Sequence, residues 1–532
     1  MLNLKEKFFH WRFLRSWRPY FIIISLGFLL YSQILSFDLT YLDDNTLLLD
    51  NKEIISDFKN IGLIFSSDAF FSETNFYYRP LLNLSFMIDT LLAGDNLFFY
   101  FFVNIILHLL TACLVFLLFK KIIKRRSIAF LFSLVFLIHP AISQAVAWLP
   151  GRNDTLLAFF SLLAILFFQK FSSSPKFKFL GLYSIFFFFA LLTKETALFL
   201  PLLVIVYFFT LGKKDVAEKH DKIIVVLTSV FVGVIWYLLR SLAFLQENIS
   251  FFDAFKSLSD NLSNAVILAC KMALPFNLSV LPVPADTSFL LSILVVPLLV
   301  VAFVLSKKKD NDRFFFGLAW VLIFLLPPFI ISSSAPFILE HRLYLPLIGF
   351  LIMISEIDWL KDLNFNRRKD KLIVLGVLIV LAGITFFHSH KFSNRIVFWE
   401  SAVSDSPHSP LAQKNLGAMY YLEGKLDDAL LCYNKALEIN PFEAMVNGNI
   451  GLIYFEQGDE KKAEEYYLKE LTLYPNYDKT LFNLGFLYYK QGKIIEAASL
   501  FEKTLLSNPR HQGANLYLQE VLENKNSDKK LE

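Results

Sequence analysis

Cysteine is nearly absent from this chain: Cys113, Cys270 and Cys432 are the only three in 532 residues, with no C-x-x-C and no paired spacing. A disulfide framework and a cysteine zinc site are both excluded on that count. Charge is also scarce, at 18% of residues, and the net charge of +4 says little about nucleic acid, so no nucleic-acid partner is indicated. No small-residue cleavage pattern follows the basic leader Lys5, Lys7, Arg12, Arg15 and Arg18, which therefore reads as a retained signal anchor. What is abundant is apolar: 55% hydrophobic residues, 60 of them Phe, in runs of fifteen or more. Such runs exclude a single soluble globule and require a polytopic membrane protein.

Apolar length predicts eleven spans, at about 20–37, 97–119, 127–139, 154–169, 179–192, 196–210, 222–239, 289–305, 314–331, 346–360 and 372–388. Residues 261–275, apolar but short and interrupted by Lys271, read as an interfacial or re-entrant helix. Orientation follows the Lys/Arg excess of cytoplasmic loops, which here are Lys120–Arg126, Lys170–Lys178, Lys213–Lys222, Lys307–Lys309 and Arg367–Lys369. The N-terminus is then cytoplasmic. With an odd number of spans, the C-terminal region is extracytoplasmic, in the periplasm of a bacterium or the lumen of the endoplasmic reticulum in a eukaryote.

That C-terminal region is repetitive. Pro441, Pro475 and Pro509 stand 34 residues apart, and the same register aligns Gly417, Gly451 and Gly485; Gly424, Gly458 and Gly492; Ala429, Ala463 and Ala497; and Tyr420, Tyr454 and Tyr488. A 34-residue period with small residues where two helices touch is the tetratricopeptide pattern, an α-solenoid of stacked helix hairpins. The predicted organisation is a membrane domain over 1–390 and repeats over 391–526. Within the latter lie a half repeat at 391–409, full repeats at 410–443, 444–477 and 478–511, a capping helix at 512–526 and a disordered tail at 527–532. The fold class is all-α throughout.

Polar groups gather at the outer ends of the spans: Asp43-Asp44, Tyr78-Arg79-Pro80, His139-Pro140, Gly151-Arg152-Asn153-Asp154, Lys194-Glu195 and Glu340-His341-Arg342. An acidic pair at a membrane exit serves either as a helix cap in a solvated loop or as a working carboxylate taking a proton from an acceptor hydroxyl. We read Asp43 and Asp44 as the catalytic acids. Arg79, Arg152 and Arg342 are either interfacial arginines or, taken together, forks shaped for a phosphate. Lys194 and His341 extend that cationic set, with self-pairing of Lys194-Glu195 and a plain hydrogen-bonding role for His341 as the alternatives. No metal ligand set is visible. A divalent ion on the two acids is possible, since two carboxylates do not define a shell.

The segments DLTYLDDNTLLLDN, YYRPLLNLSFMID, HPAISQAVAWLPGRNDTLLA, LLTKETALFL and LEHRLYLPLIGF, in this order and followed by the repeats, resemble the transmembrane and tetratricopeptide-repeat-containing O-mannosyltransferases and their bacterial relatives. The resemblance implies the C-type glycosyltransferase fold and a polyprenyl- or dolichyl-phosphate sugar donor. It also implies transfer of mannose or another hexose to a hydroxyl of a protein or other acceptor held by the repeats, with Asp43 and Asp44 standing where the family's acidic pair stands. Two alternatives remain open. One is an enzyme like the O-antigen ligases and polymerases; the other is a lipid-linked sugar flippase or a scaffold, which would bury charge at mid-membrane or need a single span.

Overall fold

The computed structural model describes residues 14, 16–71, 77–243, 251–287, 290–331 and 339–528. The leader residues Lys5, Lys7, Arg12 and Arg15 and the last four of the tail lie outside them. All regular structure in the described residues is helical. The chain divides into two compact units, 1–398 and 399–532.

In the first unit, five helices are long and apolar enough to cross a bilayer: Arg18–Ser36, Leu97–Ile122, Leu149–Ser173, Lys219–Ala243 and Arg368–His390. A sixth candidate is the pair Arg126–Leu137 and Pro140–Ala147, bent by 51°. Among the described residues five or six helices thus reach full crossing length, and further apolar helices, Phe177–Thr193, Glu195–Phe209 and Leu294–Leu305 among them, are shorter. Polar motifs fall at the breaks between predicted spans. The bend lies at His139-Pro140, where Pro140 opens the next turn and the His139 ring accepts from Ala141 N. The apolar run 177–209 breaks at Lys194 into Phe177–Thr193 and Glu195–Phe209, each shorter than a bilayer-crossing helix. The interruptions expose backbone polar groups, which is tolerated at membrane depth only where protein or a wet cavity covers them.

Lipid faces are evident from exposure. Only 22% of the Lys219–Ala243 window and 17% of the Arg368–His390 window is buried, with Leu227, Phe231, Leu375 and Ile379 turned outward. Apolar surface of that extent belongs in a bilayer. The chain is a multi-pass membrane protein. By contrast, Leu97–Ile122 and Arg152–Ser173 pack together at the centre, each opened by polar residues at one end and closed by lysines at the other.

Near the predicted 261–275 helix, two short helices form, Phe251–Asp260 and Leu262–Lys271. Lys271 is no lipid-facing interruption. Its ammonium is buried, 2.6 Å from Glu340 Oε1 and 2.9 Å from the Asn277 carbonyl oxygen. A buried ion pair of this kind fixes register, here that of the Glu340–Leu343 turn. The helix after that turn, Pro346–Ile354, meets Asn311–Leu325 backbone to backbone, since a Cβ on Gly317 would lie 2.7 Å from the Gly349 oxygen.

The second unit is a run of helix hairpins: Pro410–Leu422 with Leu426–Ile439, Val446–Glu456 with Glu460–Leu473, and Asp478–Lys490 with Ile494–Ser507, then Gln512–Asp528. Trp399 and Ala402 of the preceding helix are fully buried. Within the second hairpin, Ala463 and Tyr467 are fully buried and a Cβ on Gly451 would sit 2.7 Å from the Tyr467 ring. Gly451→Val should therefore overpack this hairpin at about 1–3 kcal/mol, lowering the unfolding midpoint of the repeat unit in a thermal melt. An unchanged midpoint would mean that the hairpin relaxes without strain.

Candidate active site

The site is built on five chain segments within the membrane unit. After the first span, the chain turns at Tyr41, which adopts φ +60, a strained conformation that persists only where the surroundings enforce it. Asp44 does the enforcing. Its Oδ2 accepts from Thr40 N at 2.7 Å and Thr40 Oγ1 at 2.9 Å, and its Oδ1 from Tyr41 N at 2.8 Å and Asn45 N at 3.0 Å. At 1% exposure this carboxylate has no face left for a substrate.

Asp43, one residue earlier, is half-buried, and no hydrogen bond or ion pair reaches its carboxylate among the described residues. Burial and the neighbouring Asp44 charge push its pKa up to about 6, with Arg79 pulling it back. Burial raises Asp44 too, but there the donors from Thr40, Tyr41 and Asn45 oppose the rise. The two acids titrate as a coupled pair in which Asp43 is the one open to proton exchange.

Arg79 caps Pro80–Ala93, whose first residue is a proline that cannot donate. Its guanidinium stacks 4.5 Å over Tyr77 and lies 3.5 Å from Glu195 Oε2, while its Nε is buried without a partner. Lys194, in the break between two helices, holds Asp154 Oδ1 at 2.6 Å and Asn153 Oδ1 at 3.3 Å. Burial lowers the Lys194 pKa, Asp154 raises it again, and the Arg79 and Arg342 charges reinforce the lowering. These mutual effects place Arg79, Lys194 and Arg342 around one spot.

His341 stands in the same cluster. Its ring packs 5.7 Å from Trp148 and its Nε2 lies 3.9 Å from Asp154 Oδ2. Burial first, then Lys194, Arg342 and Arg79, hold its pKa well below the ordinary histidine value, so it is neutral. No hydrogen bond or ion pair engages the Arg342 guanidinium among the described residues. Unpartnered buried atoms converge here: Arg79 Nε, Trp148 Nε1, Asp154 Oδ2, Glu195 Oε1 and His341 Nδ1. Buried polar groups are normally paired, so this concentration of unpaired ones makes the cluster a candidate binding site.

Arg152 does not join them. Expected as a phosphate ligand, it is fully buried, with Nη1 2.5 Å from Asp89 Oδ2, Nε 2.6 Å from Asn104 Oδ1 and Nη2 2.8 Å from the Tyr100 oxygen, over the Phe86 ring. Successive residues of a helix project about 100° apart. Arg152, opening its helix, therefore faces the core, while Asp154 faces the site. Asp154, Glu195, Trp148 and Tyr77 do not stand out from sequence as site residues, although Asp154 and Glu195 sit within the polar motifs. The missing signal is helical phase, which decides which member of a motif points inward.

Among the described residues no group of three or more His, Cys, Asp or Glu side chains converges to hold an ion, and the Asp44 oxygens accept from four donors.

Parts of the chain match known families. The family described as dolichyl-phosphate-mannose-protein mannosyltransferase matches residues 80–238, and tetratricopeptide repeat families match 410–442 and 442–505. The first of these segments contains Asp154 and Lys194 and begins one residue after Arg79. Among curated relatives, the mouse protein O-mannosyl-transferase TMTC1 is 43% identical over 94 residues, 18% of this chain and 10% of that protein. The human TMTC2 is 33% identical over 156 residues, 28% and 18% respectively, and the Caenorhabditis elegans protein O-mannosyl-transferase F38B6.6 is 30% identical over 161 residues, 29% and 23%. The matched stretches therefore span about a tenth to a quarter of those relatives' length. With the ordered motifs and the 34-residue repeat, they make the chain a multi-pass membrane relative of the transmembrane and tetratricopeptide-repeat-containing O-mannosyltransferases.

Proposed function

We propose that the membrane unit is a C-type mannosyltransferase moving mannose, or another hexose, from a polyprenyl- or dolichyl-phosphate donor to a hydroxyl of an acceptor protein. The distribution of Lys and Arg among the loops supports an extracytoplasmic site for this chemistry, with the tetratricopeptide unit as a surface for the acceptor polypeptide. The observation that carries the reading is the contrast within the acidic pair. Asp44 is wholly engaged in shaping the loop, while Asp43 keeps an unbonded carboxylate under the charge of Arg79, which in turn acts on Lys194.

In this mechanism Asp43 takes the proton of the acceptor hydroxyl as that oxygen bonds to the sugar's anomeric carbon. The bond from that carbon to the donor phosphate breaks on the opposite face, inverting the centre. Arg79, Lys194 and Arg342 hold the departing phosphate, and neutral His341 donates a hydrogen bond. Because the leaving group is already a phosphate, positioning and charge stabilisation carry most of the rate.

The test is transfer of labelled mannose, with glucose as the comparison, from a polyprenyl-phosphate donor to protein by the full-length chain in membranes. Consumption of neither donor would sink the reading. The pH profile sharpens it. The active form of Asp43 is ionised, so rate should fall as pH drops through about 6. The stability sign is opposite: the folded state holds this proton more tightly than the unfolded chain does, so folding stability declines as pH rises from about 4 to 6. A rate with no acidic limb near pH 6 would remove Asp43 as the base.

A further inference from the structure

At the other end of the bundle is a groove of about 840 Å³, within the size range of lipid and cofactor sites. Its walls are apolar side chains of the two central helices, Leu114 and Leu117 from one and Leu163 and Phe167 from the other. Both apolar rows continue into lysine, at Lys121 and Lys170. The groove runs roughly 10 Å from Leu114 to Lys121 along one helix. Its mouth lies roughly 24 Å along the other helix from Asp154, remote from the acidic pair.

Two features separate this groove from a bare gap between helices. First, its cations are not neutralised. Lys121 makes no hydrogen bond or ion pair among the described residues, Lys170 lies only over the Phe179 ring at 4.8 Å, and the two ammonium groups repel each other. The acid in the groove, Asp215, accepts from Ser172 Oγ at 2.7 Å and Tyr207 OH at 3.0 Å and pairs with neither lysine, so the groove carries two cations against one carboxylate. Second, Gln169 lines the groove at 5% exposure with its Oε1 buried and unpartnered. A half-apolar, half-cationic cleft with an orphaned acceptor matches one kind of molecule: an amphiphile with an anionic head that also carries a hydroxyl donor.

We propose that this groove is a binding site for an anionic phospholipid of the leaflet opposite the acidic pair. One acyl chain lies along Leu114, Leu117, Leu163 and Phe167, the phosphate sits between Lys121 and Lys170, and a headgroup hydroxyl donates to Gln169 Oε1. The site is independent of the sugar-transfer reading, since none of its residues belongs to that cluster. The surrounding basic segments, Lys120–Arg126 and Lys170–Lys178, are of the sort that anionic leaflets attract.

The experiment is native mass spectrometry of the full-length protein with phosphatidylglycerol or phosphatidylcholine at equal loading. One phosphatidylglycerol retained per chain in preference to phosphatidylcholine is the expected result. The double change Lys121→Gln with Lys170→Gln should weaken that retention about 30-fold, at about fivefold per lysine. Leu163→Trp, which fills the groove and leaves both lysines in place, should abolish it. Lys170→Gln alone, at an exposed position, gives a fivefold effect even if the other variants fail to fold. Equal retention of the two lipids, or retention unaffected by these changes, overturns the proposal. So does displacement by millimolar inorganic phosphate, which would reveal an anion site with no acyl chain.

Discussion

Asp43→Asn should lower sugar transfer by about 10²- to 10⁴-fold, the ordinary worth of a positioned base, while the protein folds and inserts as before. The amide has nearly the same shape, and among the described residues no hydrogen bond depends on the Asp43 carboxylate, so little else changes. Asp44→Asn should behave differently. The amide nitrogen cannot accept, so of the donors at Thr40, Tyr41 and Asn45 at least one loses its partner, at about 1–3 kcal/mol. The strained Tyr41 turn then loosens, and activity falls together with thermal stability. The discriminating measurement is turnover normalised to correctly folded protein, with the melting temperature recorded beside it. If Asp44→Asn lost activity at wild-type stability while Asp43→Asn remained active, the roles assigned to the two acids would be reversed.

The second large effect is expected at Arg152. Arg152→Met removes the partner of Asp89, a carboxylate at 2% exposure. Leaving one member of a buried ion pair alone costs about 3–5 kcal/mol, enough to unfold many domains outright. The additional change Asp89→Leu should recover most of that loss, because two apolar side chains leave no uncompensated charge. A double-mutant cycle read by thermal unfolding in detergent measures the coupling. A phosphate ligand would give the opposite pattern: intact stability, a raised donor KM and no rescue by Asp89→Leu. That outcome would return Arg152 to the site.

Both cases turn on the difference between a motif and its geometry. The acidic pair, the arginines and the lysine are conspicuous in the sequence because ionisable residues beside apolar runs are costly to keep near a bilayer and tend to mark function. Which neighbour does what is not conspicuous. Asp43 and Asp44 are adjacent and chemically identical, and they differ only in that the Tyr41 turn aims four donors at one of them. Within Gly151-Arg152-Asn153-Asp154, the arginine has the chemistry of a phosphate ligand, yet helical phase gives the core Arg152 and the site Asp154. Lys271 reads as a flaw in an interfacial helix because nothing local places Glu340, 69 residues away, beside it.

The membrane character and the repeat array were determined by sequence alone, because both are one-dimensional. Apolar length measures a bilayer directly, and each repeat contacts mainly its neighbours, so a 34-residue period is nearly the structure itself. The span count was not of that kind. The spans predicted at 179–192 and 196–210 do form as separate helices, Phe177–Thr193 and Glu195–Phe209, but both are shorter than a full crossing, and a break of this kind is stabilised only by what packs around it. The site belongs to the same class. Its side chains come from five segments separated by tens to hundreds of residues, and their charges shift one another's pKa values only after folding has excluded water from between them. Tertiary structure alone decided which carboxylate is open to proton exchange, which arginine is structural and where the cations meet.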